Sequence, residues 1–248
     1  MSAGSLHGFT AVVTGAGSGI GEATARLLAT RGARVAAVGR TPSKLEHVAT
    51  DASLNGSIRP FPADLRRPAE ARAALSAAAG WLGGFDLLVM AAGIYREGPF
   101  GELTDETVDE LVDSNLKAVV HTIRAALPWI AEGGCVVNVA SMSSVRSLDQ
   151  QSLYAGTKAG VVHFSASLAR ELAPRVRVTT VSPGPTRTPI LTTIMPAEDV
   201  PAVQTELAQT IPLRRLAEPD EIAEAIVFLA RAPFATGTHL VLDGGTSL

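Results

Sequence analysis

Tyr154 and Lys158, in Tyr154-Ala155-Gly156-Thr157-Lys158, stand four residues apart and share one face if that segment is helical. A free phenol titrates near ~10, too high for efficient base work at neutral pH. A neighbouring ammonium favours the phenolate and lowers that value. Ser141 lies thirteen residues before the tyrosine, and Asn115 lies further upstream in Asp113-Ser114-Asn115-Leu116. Each has a plainer reading taken singly: a packed Tyr154, a surface Lys158, a capping Ser141 and a mid-helix Asn115. Their weight comes from company.

The second constellation is Thr14-Gly15-Ala16-Gly17-Ser18-Gly19-Ile20-Gly21, between an apolar run and an amphipathic one. Glycines allow a tight turn and let backbone N–H groups reach an anionic pyrophosphate at a helix N-terminus. The spacing is T-G-x-x-x-G-x-G over Gly15, Gly19 and Gly21, with Ser18 and Ile20 between them; G-x-G-x-x-G does not fit, because Ile20 takes its last place. A dinucleotide is the expected ligand. An acid ending the second strand would bond the ribose hydroxyls and favour NAD(H). Here Gly39 stands in that place, followed by Arg40 and Thr41. A guanidinium matches a 2′-phosphate, so NADP(H) is expected. The absence of a basic residue in the loop keeps NAD(H) open.

These groups need elements to hold them. Ala11–Val13, Val35–Val38, Arg59–Phe61, Asp86–Met90, Cys135–Val139, Val176–Val181 and His239–Leu242 read as strands, the third weakened by Pro60. Between them lie helical segments at Glu22–Arg31, Pro42–Ala49, Pro68–Trp81, Asp105–Ile130, Tyr154–Leu172 and Pro219–Leu229. Apolar strands separated by helices predict an α/β fold: a Rossmann-like, doubly wound parallel sheet of about seven strands with helices on both faces. Ligands of such sheets bind beyond the carboxyl ends of the strands. No linker divides the chain, so one domain over 1–248 is expected. The stretch 186–216, rich in proline and carrying Ile190, Leu191, Ile194 and Met195, is expected to be a substrate lid. A surface excursion with two short helices is its alternative.

Composition narrows the classes. The chain has 248 residues, 46% hydrophobic and only 18% charged, enough to bury a large core and too apolar for disorder. A net charge of −3 provides no basic footprint for nucleic acid. Cys135 is the single cysteine, excluding an internal disulfide and a multi-thiolate metal site. The first eight residues lack the pattern of a secretory signal, and no apolar run approaches the ~18–20 residues of a membrane span. A cytoplasmic protein without nucleic-acid or membrane partners is expected. The scattered histidines have no metal spacing, so no metal is expected.

With both glycine loop and Ser–Tyr–Lys set in place, the chain resembles the classical short-chain dehydrogenase/reductase family nearly end to end, from Thr14 to Leu242-Asp243-Gly244-Gly245. The resemblance covers 3-oxoacyl-carrier-protein reductase-like ketoreductases. It implies that Tyr154 is the acid/base, that Lys158 holds the nicotinamide ribose, that Ser141 bonds the substrate oxygen, and that Asn115 positions a relay water. It also implies cofactor contacts at Asp64 and Leu65 beside the adenine, at Ala92 and Gly93, and at Pro183, Gly184, Thr186 and Thr188 near the carboxamide. Two departures stand out. Met90-Ala91-Ala92-Gly93 occupies the place of the usual N-N-A-G, which questions the bracing of the adenosine side, and Thr186 replaces a branched aliphatic residue.

The implied reaction is hydride transfer between NADP(H) and a carbonyl or alcohol small molecule. An NAD-linked alcohol dehydrogenase and a non-catalytic dinucleotide sensor are the alternatives. Ile94, Tyr95, Met142, Val145, Leu148, Ile190, Leu191, Ile194 and Met195 are expected to line the pocket and favour an apolar substrate. Arg146 and Arg187 could recognise an acidic group or a carrier-bound acyl chain, with solvated arginines the plainer and commoner reading. The resemblance also implies a homotetramer, and Ala155, Ala159, Val162, Ala166 and Ala169 would allow close packing of one long helix.

Overall fold

The computed structural model describes residues 5–51, 54 and 57–248; Met1 to Gly4, part of the segment read for a secretory signal, lie outside the described residues. Seven strands form one all-parallel sheet in the order β3-β2-β1-β4-β5-β6-β7. They are β1 (Thr10–Thr14), β2 (Arg34–Gly39), β3 (Ile58–Pro62), β4 (Phe85–Met90), β5 (Ile130–Val139), β6 (Val176–Pro183) and β7 (His239–Leu242). The order reverses between β1 and β4, so a crevice opens beyond their carboxyl ends. Pro60 and Pro62 sit in β3, an edge strand, where a missing ladder donor costs least.

The helices are α1 (Gly19–Thr30), α2 (Pro42–Ala49), α3 (Pro68–Leu82), α4 (Asp105–Val112), α5 (Ala118–Ala126), α6 (Ser152–Leu172), α7 (Val200–Thr210) and α8 (Pro219–Arg231). Proline opens α2, α3 and α8, where its absent N–H removes no helical bond. Alternation along the strands divides the core. Ala11 and Val13 face the layer containing Leu28, Ile222 and Ile226, whereas Val12 faces the one containing Leu75, Ile123 and Val161. Both faces are therefore covered, as apolar strands require.

Two expectations need correction. The stretch Asp105–Ile130 is not one helix. A π-helical turn, Asp113–Lys117, interrupts it, α5 ends at Ala126, and Ile130 begins β5 by pairing with Phe85. Helical spacing of apolar residues survives such an interruption, so periodicity did not reveal it. Ala169 is only 2% exposed, packed in its own chain's core rather than on the outer face of α6.

The segment after β6 holds a 3-10 turn, Pro189–Thr193, and α7. Arg187 ties it down, donating to Glu218 at the start of α8 (2.9 Å) and to Gln204 of α7 (2.9 Å). Arg146 donates to the carbonyl of Thr246. Both arginines thus find partners within the chain. Among the described residues no helix is long and apolar enough to cross a membrane, and no cluster could hold a metal ion.

Candidate active site

A cleft of about 340 Å³ opens at the carboxyl edge of the sheet. Gly15, Ser18, Gly19, Ile20, Gly21, Arg40, Thr41, Asp64, Leu65, Ala92, Gly93 and Thr188 all line it. At Gly15 φ is +66°, and an added Cβ would lie 2.8 Å from the Ala92 nitrogen. At Gly21 a Cβ would come within 2.3 Å of the Gly15 carbonyl oxygen. The loop therefore closes on the helix start only because both lack side chains. Ser18 precedes α1 and makes no side-chain bond to its end. The first-turn N–H groups of α1 face the cleft through Gly19, Ile20 and Gly21, a donor set suited to pyrophosphate. The residues fit a dinucleotide.

Thr14 braces the stretch that lacks the asparagine pair. Its hydroxyl donates to the Val89 carbonyl (3.1 Å) and accepts from the Ala91 and Ala92 amides (3.1 and 3.2 Å). One side chain at the end of β1 thus braces the start of the loop after β4.

Lys44 and Arg66 line the same cleft, and sequence reasoning missed both. Lys44 lies in the first turn of α2, four residues after Arg40, a spacing that could have signalled it. Arg66 grips Asp64 with a short fork, its shortest bond being 2.6 Å. That guanidinium holds the Asp64 carboxyl below its usual range, against burial, and Arg40 adds to the effect. Pro183, Gly184 and Thr186 do not line the cleft, nor do Tyr154 and Lys158. Gly184 is pressed against Asp243, where a Cβ would lie 2.6 Å from the Asp243 Cα. The Thr186 hydroxyl donates to the Gly184 carbonyl (2.9 Å), so it serves its own turn.

Deeper in the edge lie the four residues singled out for chemistry. Tyr154 and Lys158 are on α6, each 7% exposed. Lys158 Nζ donates to the Val139 carbonyl at 3.2 Å and lies 5.8 Å from the Tyr154 ring centroid. Asn115 is in the π-turn and fully buried. Its Oδ1 accepts from the Ile94 amide (2.9 Å), and its Nδ2 donates to the Ile94 carbonyl (3.0 Å). A Cβ built on Gly93 would lie 3.1 Å from Asn115 Oδ1 and 3.3 Å from Lys158 Nζ, so glycine keeps that recess open.

Ser141 follows β5 and caps a 3-10 turn, Met142–Ser144, by accepting from the Ser143 amide (3.2 Å). Beside it, the Tyr95 ring stands edge-on to Tyr154, centroids 4.9 Å apart. The expected pocket wall is only partly buried. Ile94 and Met142 are buried, whereas Val145 is 54% exposed.

Burial acts on both groups of the pair. Burial pushes the Tyr154 phenol up, with Ser141 as hydrogen-bond partner pulling it down. Burial also brings the Lys158 ammonium down to about 8. The sequence argument weighed charge against charge and had no access to desolvation. The thiol of Cys135 in β5 is likewise pushed up by burial, consistent with a core residue.

The comparisons with known proteins agree along the whole chain. Residues 15–247 match the family model described as enoyl-(acyl carrier protein) reductase. D-Threitol dehydrogenase of Mycolicibacterium smegmatis is 40% identical over 98% of this chain and 94% of its own. Two solved structures superpose with TM-scores of 0.89. One is a short chain dehydrogenase from Burkholderia cenocepacia in complex with NADP, 31% identical, covering 98% of this chain and 99% of that one. The other is 3-ketoacyl-(acyl-carrier-protein) reductase from Brucella melitensis complexed with NADH, 33% identical, covering 98% and 100%.

Proposed function

This chain belongs to the classical short-chain dehydrogenase/reductase family, and on that premise we propose that it interconverts a ketone and a secondary alcohol with NADP(H), Tyr154 acting as acid/base. The observation that carries the reading is the gathering of Ser141, Tyr154, Lys158 and Asn115 next to Gly93, which lines the cleft. The nicotinamide supplies or accepts the hydride. Tyr154 gives its phenolic proton to the carbonyl oxygen during reduction and takes it back during oxidation. Ser141 donates to that oxygen as charge develops. Lys158 holds the nicotinamide ribose, and Asn115 positions a water that links Lys158 to solvent.

The preference for NADP(H) rests on Arg40 and Lys44 at the end of the cleft where β2 offers no carboxylate. Purified protein should bind NADPH at least ten-fold more tightly than NADH by fluorescence titration. Arg40→Ala should remove about ten-fold of NADPH affinity, the order of a charge-assisted bond, and leave NADH unchanged. Equal affinities in the wild type would turn the assignment to NAD(H), the cofactor in the Brucella structure.

Turnover should be sought over ketones, secondary alcohols and, given the relative that acts on D-threitol, short polyols. Its absence throughout would favour a non-catalytic dinucleotide sensor. We further read residues 1–248 as one domain with a substrate lid at about 186–216, working in the cytoplasm as a homotetramer. A monomer by light scattering at micromolar concentration would overturn the last point.

A further inference from the structure

The wall beside Tyr154 carries an amide that no step of the proposed reaction uses. Gln151 immediately precedes α6, three residues before Tyr154. Its Oε1 accepts from the Ser143 hydroxyl (2.9 Å), and its Nε2 donates to the Tyr95 hydroxyl (2.7 Å). Both partners border the reacting groups. Ser143 belongs to the turn that Ser141 caps, its backbone amide donating to Ser141 Oγ (3.2 Å). The Tyr95 ring stands edge-on to Tyr154, centroids 4.9 Å apart. The amide therefore links the serine side of the site to the tyrosine side.

Its neighbours fix which way it faces. The Tyr95 hydroxyl has one proton and gives it to the Glu97 carboxylate, so it meets Gln151 as an acceptor and the amide nitrogen points its way. A carboxamide offers two N–H groups and two oxygen lone pairs. Among the described residues the Gln151 side chain engages one of each, and the residue is only half-buried. One donor and one acceptor are left over. A hydrocarbon flank laid against them would displace their water without replacing its bonds, whereas a hydroxyl can accept from the one and donate to the other. Ser141 keeps its own proton for the substrate oxygen.

We infer that Gln151 is a substrate-recognition residue, and that the substrate class is a ketone with a hydroxyl on the carbon next to the carbonyl, the vicinal diol being its reduced form. The neighbouring hydroxyl meets the amide while Ser141 and Tyr154 hold the reacting oxygen. The inference rests on the ketone–alcohol reading above and narrows it, away from the apolar substrate expected from the sequence.

The test pairs 3-hydroxy-2-butanone with 2-butanone, which differ by one hydroxyl, and reads the ratio of their kcat/KM values. The wild type should favour the hydroxylated ketone by at least ten-fold. Gln151→Met keeps the length of the side chain without its donor and acceptor, and should lower that ratio by about three- to ten-fold, the scale of one hydrogen bond. The ratio within one variant does not depend on the fraction folded, and Gln151→Leu serves the same purpose where the methionine variant fails to fold. Oxidation of 2,3-butanediol against 2-butanol should show the same change. A variant ratio within two-fold of the wild type overturns the inference, since it makes Gln151 a tie between two loops and nothing more. A wild type that prefers 2-butanone overturns it too, and leaves the ketone–alcohol reading standing. A wild type that turns over neither ketone overturns that reading instead, and the inference with it.

Discussion

The cofactor cleft and the catalytic wall adjoin on one edge of the sheet yet are built from opposite materials. The cleft is made largely by what is missing: a Cβ added at Gly15 or Gly21 would lie 2.8 or 2.3 Å from backbone atoms, which no side chain would allow. The wall is made of side chains from distant segments, with Asn115 clamping Ile94 and Gln151 bridging Ser143 to Tyr95. Backbone donors pre-set by a turn suit a ligand whose charge is fixed. Side-chain groups suit a reaction in which a proton must move, because hydroxyls rotate and phenols titrate.

The largest effect that would break this contrast is expected at Tyr154. Tyr154→Phe should lower kcat by about 10³-fold, within the usual range for a removed proton-transfer group, while dinucleotide affinity stays within two-fold. Loss of both together would mean that wall and cleft are not separable. The reverse experiment is Gly21→Ala. Dinucleotide affinity should fall by at least ten-fold in a fluorescence titration, with a lowered Tm, because the methyl meets the Gly15 carbonyl. Unchanged affinity would show that the loop shifts freely and that its spacing matters less than the geometry indicates.

The third prediction concerns pH. The Lys158 pKa falls from an unfolded value near ~10.4 to about 8 on folding, so between those values the unfolded chain holds the extra proton. Stability from this residue is complete above the unfolded pKa, declines as pH falls towards 8, and stays reduced below it. Lys158→Met lacks that penalty. It should match the wild type in denaturant unfolding near pH 10.5 and exceed it by roughly 2–3 kcal/mol at pH 7, while losing activity. A stability difference that does not vary with pH would show that burial of Lys158 is relieved by another group.

The same contrast explains what the sequence made legible. Gly15, Gly19 and Gly21 act within eight residues, and Tyr154 and Lys158 within one helical turn, so local spacing exposes both. The strand pattern was legible for a similar reason: a two-sided sheet demands continuous apolar runs, and β3 carried its prolines because it is an edge. Thr14 supporting Ala91 and Ala92, and Gln151 reaching Tyr95, join residues separated by 77, 78 and 56 positions, and no local pattern records such pairs. Burial was equally hidden, so Tyr154 and Lys158 were paired by charge when desolvation governs both. The end of the long helix was misread because Ile130, apolar and on the helical period, pairs with Phe85 instead.

The π-turn at Asp113–Lys117 carries a consequence of phase. A regular helix advances about 100° per residue, so the one residue that such a turn adds leaves α5 rotated by about that angle relative to α4. Two apolar stripes that would otherwise align are set at different azimuths. Leu111 can join Ile94 and Tyr154 while Val119 and Ile123 join the core beneath the sheet. The position of Asn115 is thus an angular matter as much as a chemical one. A chain with one residue fewer in that turn could keep every catalytic side chain in its sequence and still aim one of them at the wrong wall.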